Sequence, residues 1–172
     1  MKSFFSFLLW IIPFLCPAQD TAALAATVEK QAGMMAEAFT AKDYKRFVNY
    51  NHPVIIQLAG GKEGMITLLK TSIAEMEKEG FLILSCAAGK ASRIVQYKDE
   101  LQCTIPQTLQ LKVPGGSMLT VSTLIGISSD KGVNWTFIDT QGKPLEELKK
   151  TFPGFSNDLV IPAKTAPVLT KD

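Results

Sequence analysis

Chemistry in this chain has few places to start. Its 172 residues hold one histidine, His52, within the stretch Tyr50–Ile56, YNHPVII. An imidazole can serve as a general base near neutral pH, provided a partner orients it and a proton lies within reach. The run that follows, Val54–Leu58 (VIIQL), contains no acid. Gln57 is its polar residue, and an amide takes up no proton at neutral pH. His52 also has a plainer role open to it. At a helix end its ring can satisfy an exposed carbonyl, where positive charge is favoured. Tyr44 and Tyr50 could each supply a phenol, although both fall at helical positions suited to packing.

Alternation adds a short list of polar side chains on apolar faces. Gln107 is in phase with Ile105 and Leu109, Thr123 with Val121 and Ile125, and Asp139 with Trp135 and Phe137. If those faces line a cavity, Gln57, Gln107, Thr123 and Asp139 point into it, with Trp135 and Phe137 as its apolar wall. Buried polar groups of this kind must pair with one another, with water or with a ligand. Two alternatives stand beside this reading. A bulge at Pro106 would turn Gln107 outward, and Asp139 could lie at a frayed strand end. Trp135 is also a natural core residue. No set is complete for catalysis. No metal or cofactor is expected: Cys86 and Cys103 are far apart, neither belongs to a CxxC pair, and a single histidine does not complete a zinc set. The Gly60-Gly61 pair precedes a helix but lacks the lysine–serine ending of a phosphate loop.

Those residues must be positioned by elements, and the chain opens with a segment of another kind. MKSFFSFLLWIIPFLCPA places Lys2 before an apolar run from Phe4 to Cys16, then a proline and a small residue. That is the layout of a cleaved export signal, with residues 1–18 removed and Gln19 the first mature residue. The run is short for a membrane span, which needs about 20 apolar residues, and Pro13 interrupts it. An uncleaved anchor and lipidation at Cys16 are the alternatives. The mature chain is expected to be periplasmic or secreted and free of the membrane. Residues 19–162 make one domain, and the tail 163–172 is expected to be loose. The formal charge is +2, with lysines scattered rather than striped, so nucleic acid is not an expected partner.

The spacing of Leu24, Val28, Ala32, Met35 and Phe39 predicts a helix over Thr21–Ala41. Asp43 suits the cap of a second, short helix that must end before Pro53. VIIQL reads as a short strand by its β-branched content. A third helix follows over Lys62–Glu79, with Gly80 as a left-handed stop. From Phe81 the pattern becomes β. FLILSCA and SRIVQY read as one long, bulged strand, Leu101–Val113 as a second, Leu119–Ile127 as a third, and Val133–Phe137 as the last, all in an antiparallel meander. KPLEELKKTFP closes with a helix that turns Leu145, Leu148 and Phe152 inward.

Helices first and strands later argue for an α+β fold. The order, together with KDYKRFVNYNHP, GGKEGMITLLK and NWTFID, resembles the nuclear-transport-factor-2-like superfamily, which includes ketosteroid isomerase and SnoaL-like cyclases. The resemblance covers most of Thr21–Asp139. It implies helices packed in a strongly curved antiparallel sheet, a cone with an internal cavity and a short C-terminal helix. It also implies an isomerase base on the short first strand, which VIIQL lacks, or paired dehydratase histidines, of which this chain has one. The expected function is therefore an exported, non-catalytic domain that binds a small apolar ligand or a protein partner. Homodimerisation is expected through an outer sheet face carrying Thr104, Thr108, Gln110, Thr120, Ser122 and Thr136. The rivals are an isomerase-like or hydrolase-like enzyme using Asp139 with Tyr50 or His52, and a purely structural or assembly module.

Overall fold

The computed structural model describes residues 18–171, so nearly all of the expected export signal lies outside the described residues. The described chain is α+β. Four helices come first: α1 (Ala18–Thr40), α2 (Tyr44–Val48), α3 (Pro53–Leu58) and α4 (Gly61–Lys78). Five strands follow: β1 (Leu82–Ala88), β2 (Val95–Tyr97), β3 (Glu100–Val113), β4 (Gly116–Ser128) and β5 (Thr136–Asp139). Helix α5 (Leu145–Thr151) and a last strand, β6 (Val168–Lys171), complete the chain. No described helix is long and apolar enough to cross a membrane.

The helix boundaries obey local chemistry. Asp43 caps α2 by accepting a hydrogen bond from the Arg46 amide at 3.1 Å. Gly80 follows α4 at φ 85°, a conformation that costs glycine little and other residues more. VIIQL is the main departure: it forms helix α3, where a strand was expected. Pro53 sits in its first turn, where a missing N–H costs nothing. Ile55 and Ile56 turn inward against buried neighbours, while Val54, Gln57 and Leu58 are exposed. A five-residue apolar run fits either period, and here the inward pair of isoleucines decides.

The long β3–β4 hairpin is the spine of the sheet. It is paired without a break from Leu101↔Ser128 to Val113↔Gly116. Its open end is flanked by β2 on β3 and β5 on β4; its tip is flanked by β1 on β3 and β6 on β4. All pairs are antiparallel and the sheet is open. The single bulged strand expected over FLILSCA and SRIVQY is two strands, both on β3, with a register shift at Ile83/Ser85 in the first. The tail also departs from expectation. Val168–Lys171 pairs with Gly116–Leu119, because the free edge of β4 there offers unpaired backbone groups.

Both faces of the sheet's open end are covered. Helix α1 lays Val28, Ala32 and Met35 against Cys103, Ile105, Leu124 and Phe137 on one face. Gly126 permits this approach, since a Cβ there would meet Val28 Cγ2 and the Phe137 ring at 3.3 Å. Helix α5 and the segment after it lay Leu148, Phe155 and Leu159 against Ile125, Ile127 and Ile138 on the other face. A third cluster joins α2 and α4 through Tyr44, Val48, Met65, Ile66 and Ile73.

Candidate functional site

In an antiparallel pair, directly opposed residues share a face. Pairing therefore sorts the candidate residues. Ile105 opposes Leu124, Gln107 opposes Ser122, and Leu124 opposes Asp139. These lie on the face that α1 covers. Thr123 opposes Pro106 and lies on the other face, as do its neighbours Val121 and Ile125. The alternation in LTVSTLIGIS is real, but β4 is buried on both sides from Thr123 to Ser128, so apolar content does not reveal which face looks at α1. Thr120 and Ser122 are likewise on the α1 face rather than the outer one. Thr104 lies on the outer face but is buried, with its hydroxyl donating to the Val160 carbonyl at 3.1 Å.

Beneath the C-terminal half of α1 lies a cavity of about 160 Å³. Its apolar wall comes from Met35, Phe39, Phe47, Leu109, Leu124 and Phe137. Asn51, Cys86, Gln107 and Asp139 supply its polar edge. Three of the six residues expected from the sequence, Gln107, Phe137 and Asp139, are thus brought together. The bulge considered at Pro106 does not form between β3 and β4, and Gln107 keeps its phase. Pro106 turns its carbonyl toward Gly89, which donates to it at 2.8 Å, so the missing N–H faces the gap between β1 and β2. The other three residues are elsewhere. Gln57 is exposed on α3, because its segment is helical. Thr123 faces the α5 side. Trp135 is core, only 2% exposed, with its indole N–H donating to the Gly132 carbonyl at 3.0 Å.

The cavity also draws on residues that sequence alone did not single out. Asn51 is placed by a parallel bridge to Phe137, a contact across 86 residues that leaves no periodic signal. Its side-chain amide donates one N–H to the Phe47 carbonyl at 2.9 Å. Cys86 arrives on β1 opposite Leu109, beyond the register shift that scrambles alternation in FLILSCA.

Asp139 is exposed at the end of β5. Ser122 Oγ donates to it at 3.3 Å and the Gln141 amide at 2.8 Å. Desolvation nevertheless raises its carboxyl above the usual range, outweighing both hydrogen bonds. Burial pushes the Cys86 thiol up to about 11, helped by the nearby Asp139 charge. Cys103 is pushed up to about 12, again chiefly by burial. Both cysteines are free thiols and stay protonated at neutral pH, so neither is an activated nucleophile.

His52 stands apart from this cavity. It lines a second one, of about 220 Å³, together with Glu100, Gln102, Ile127, Ile138 and Phe155 on the α5 side. Its role is to cap α3: Nδ1 accepts from the Val54 amide at 3.4 Å. The expectation of a helix C-terminus there is reversed, since His52 stands at an N-terminus and acts as an acceptor. Desolvation lowers its pKa, against a smaller opposing pull from Glu100. Only the neutral ring can accept through Nδ1, so charge and cap exclude each other. Tyr50 packs against the α1 cluster and borders a third depression, with Met34 and Asn134. A further depression, about 740 Å³, is a surface groove bordered by exposed Gln96, Asp99 and Lys131, and none of the expected residues lies in it.

Comparisons with protein-family models, with curated proteins and with solved structures each found no match.

Proposed function

We propose that this chain is an exported, non-catalytic domain that binds a small, largely apolar ligand in the cavity between α1 and the sheet. One observation carries the reading: an apolar wall of six residues meets a polar edge of four in a single cavity of about 160 Å³. Small-molecule sites combine these two features, with apolar surface for affinity and a few fixed polar groups for orientation. The order of helices before an antiparallel sheet supports kinship with the nuclear-transport-factor-2-like superfamily and a cone built around this cavity. The leader-like first 18 residues support export.

An acid–base mechanism through Asp139 and His52 has less support, because the two residues line different cavities. The test is native mass spectrometry of protein purified from its own host, followed by extraction and identification of any bound compound. A reproducible added mass, displaced when the cavity is filled by Leu124→Trp, is expected. Repeated recovery of empty protein, with no thermal shift across a ligand panel, would overturn the proposal.

A further inference from the structure

The cavity's polar edge is one-sided in its chemistry. Asp139 is the charged residue lining it. Among the described residues, none of the ion pairs includes Asp139. Its two hydrogen-bond donors are a hydroxyl and a backbone amide, both neutral. Asn51 uses one of its two N–H groups on the Phe47 carbonyl, and its oxygen is an acceptor. The edge therefore carries one carboxylate, and no cation lines the cavity to balance it. The wall beside it is aromatic: Phe39 and Phe47 stand with ring centroids 5.3 Å apart and tilted by 43°, and Phe137 lies nearby.

From this we propose that the cavity takes a small organic cation, a primary amine carried on a benzene-sized apolar body. The inference rests on the cavity being a ligand site and names the chemistry of what enters it. Size sets the body: an apolar cavity of about 150 Å³ is enough to hold benzene, and this one measures about 160 Å³. Charge sets the head. An ammonium supplies the partner that a partly desolvated carboxylate lacks, through a charge-assisted hydrogen bond. The phenylalanine faces add attraction for a cation and none for an anion. A carboxylate ligand would instead meet Asp139 as a like charge.

Benzylamine, benzyl alcohol and benzoate share one body and differ in head, so they separate the two layers of the claim. Binding of each to the full chain is measured by isothermal titration at pH 7.5 and low salt. Benzylamine is expected to bind about tenfold more tightly than benzyl alcohol, because only the ammonium forms an ion pair with the carboxylate, and benzoate is expected not to bind. Asp139→Asn should erase the amine's advantage over benzyl alcohol. Asp139 is exposed, so the neutral amide should not unfold the chain. Raising salt in the unmodified protein gives a second readout that needs no variant: it should weaken the amine and spare the alcohol. Equal binding of amine and alcohol would overturn the cation and keep the cavity as a ligand site. Binding of neither would overturn both.

Discussion

At the scale of single residues, His52 shows how position fixes chemistry. Its backbone joins the sheet, with its amide donating to the Phe137 carbonyl at 3.1 Å, while its ring turns back to cap α3. The next residue is Pro53, so the first amide that needs a cap is that of Val54, and Nδ1 is the acceptor that reaches it. The ring is held neutral by burial, and its pKa lies below that of the unfolded chain. The sign of the linkage follows. Above about pH 6.5, the ordinary histidine value, neither state is protonated and the cap is intact. As pH falls below that value the unfolded chain takes up a proton that the folded chain refuses, and stability drops until the folded pKa is passed. His52→Asn retains a capping oxygen and removes the titration. Urea unfolding at pH 7.5 and 5.5 should show a smaller loss of stability in the variant than in the unmodified protein. Parallel losses would show that His52 does not titrate with folding.

At the scale of elements, the second covering layer is the feature that most reshapes the sheet. Leu148, Phe155 and Leu159 bury the side opposite α1, and Gln102 secures them from below. Gln102 is fully buried: its Nε2 donates to the Gly154 carbonyl at 2.8 Å and its Oε1 accepts from the Ser156 amide at 2.9 Å. Phe155→Ala removes a ring from a packed site and should cost about 3–5 kcal/mol, read as a lower urea midpoint with little change in slope. A loss below about 1 kcal/mol would mean that the segment after α5 is not a structural layer. This layer also explains what the sequence could reveal. Helices α1 and α4 were legible because each buries an apolar stripe, and period 3.6 records that. The β3–β4 hairpin was legible from its turn and its length. The phase of β4 was not, since a strand covered on both sides carries no polar face to mark its orientation. The helical state of VIIQL was hidden for a related reason: Ile55 and Ile56 pack against the α2–α4 cluster, and Ile55 also against the α5-side cluster, tertiary contacts that five residues do not record. Half the expected pocket followed from phase along β3 and β5; Asn51 and Cys86 required pairings that alternation cannot see.

At the scale of the whole molecule, the two covering layers leave the tip of the hairpin bare on its outer side. Leu119, Val121 and Val168 are 40%, 44% and 60% exposed there, beside Thr108 and Gln110. Thr104, expected on this face as part of a dimer surface, is already covered by the chain's own C-terminal segment. The face expected to dimerise is therefore reduced to its tip half, a more apolar surface than the full polar face expected from sequence. A self-associating face must keep its apolar residues free of charge, and a lysine at the centre of a two-fold contact meets its own copy. Val121→Lys should leave the fold intact, because the side chain is exposed, and should shift a dimer to monomer in sedimentation velocity. Stable specific interfaces bury roughly 800 Å² per partner; a contact limited to the tip is expected to give a weak dimer whose population rises with protein concentration between micromolar and millimolar. A monomer throughout that range would remove self-association from the tip. Ligand binding should be indifferent to the change in either case, since the cavity opens on the α1 face and Val121 lies on the other.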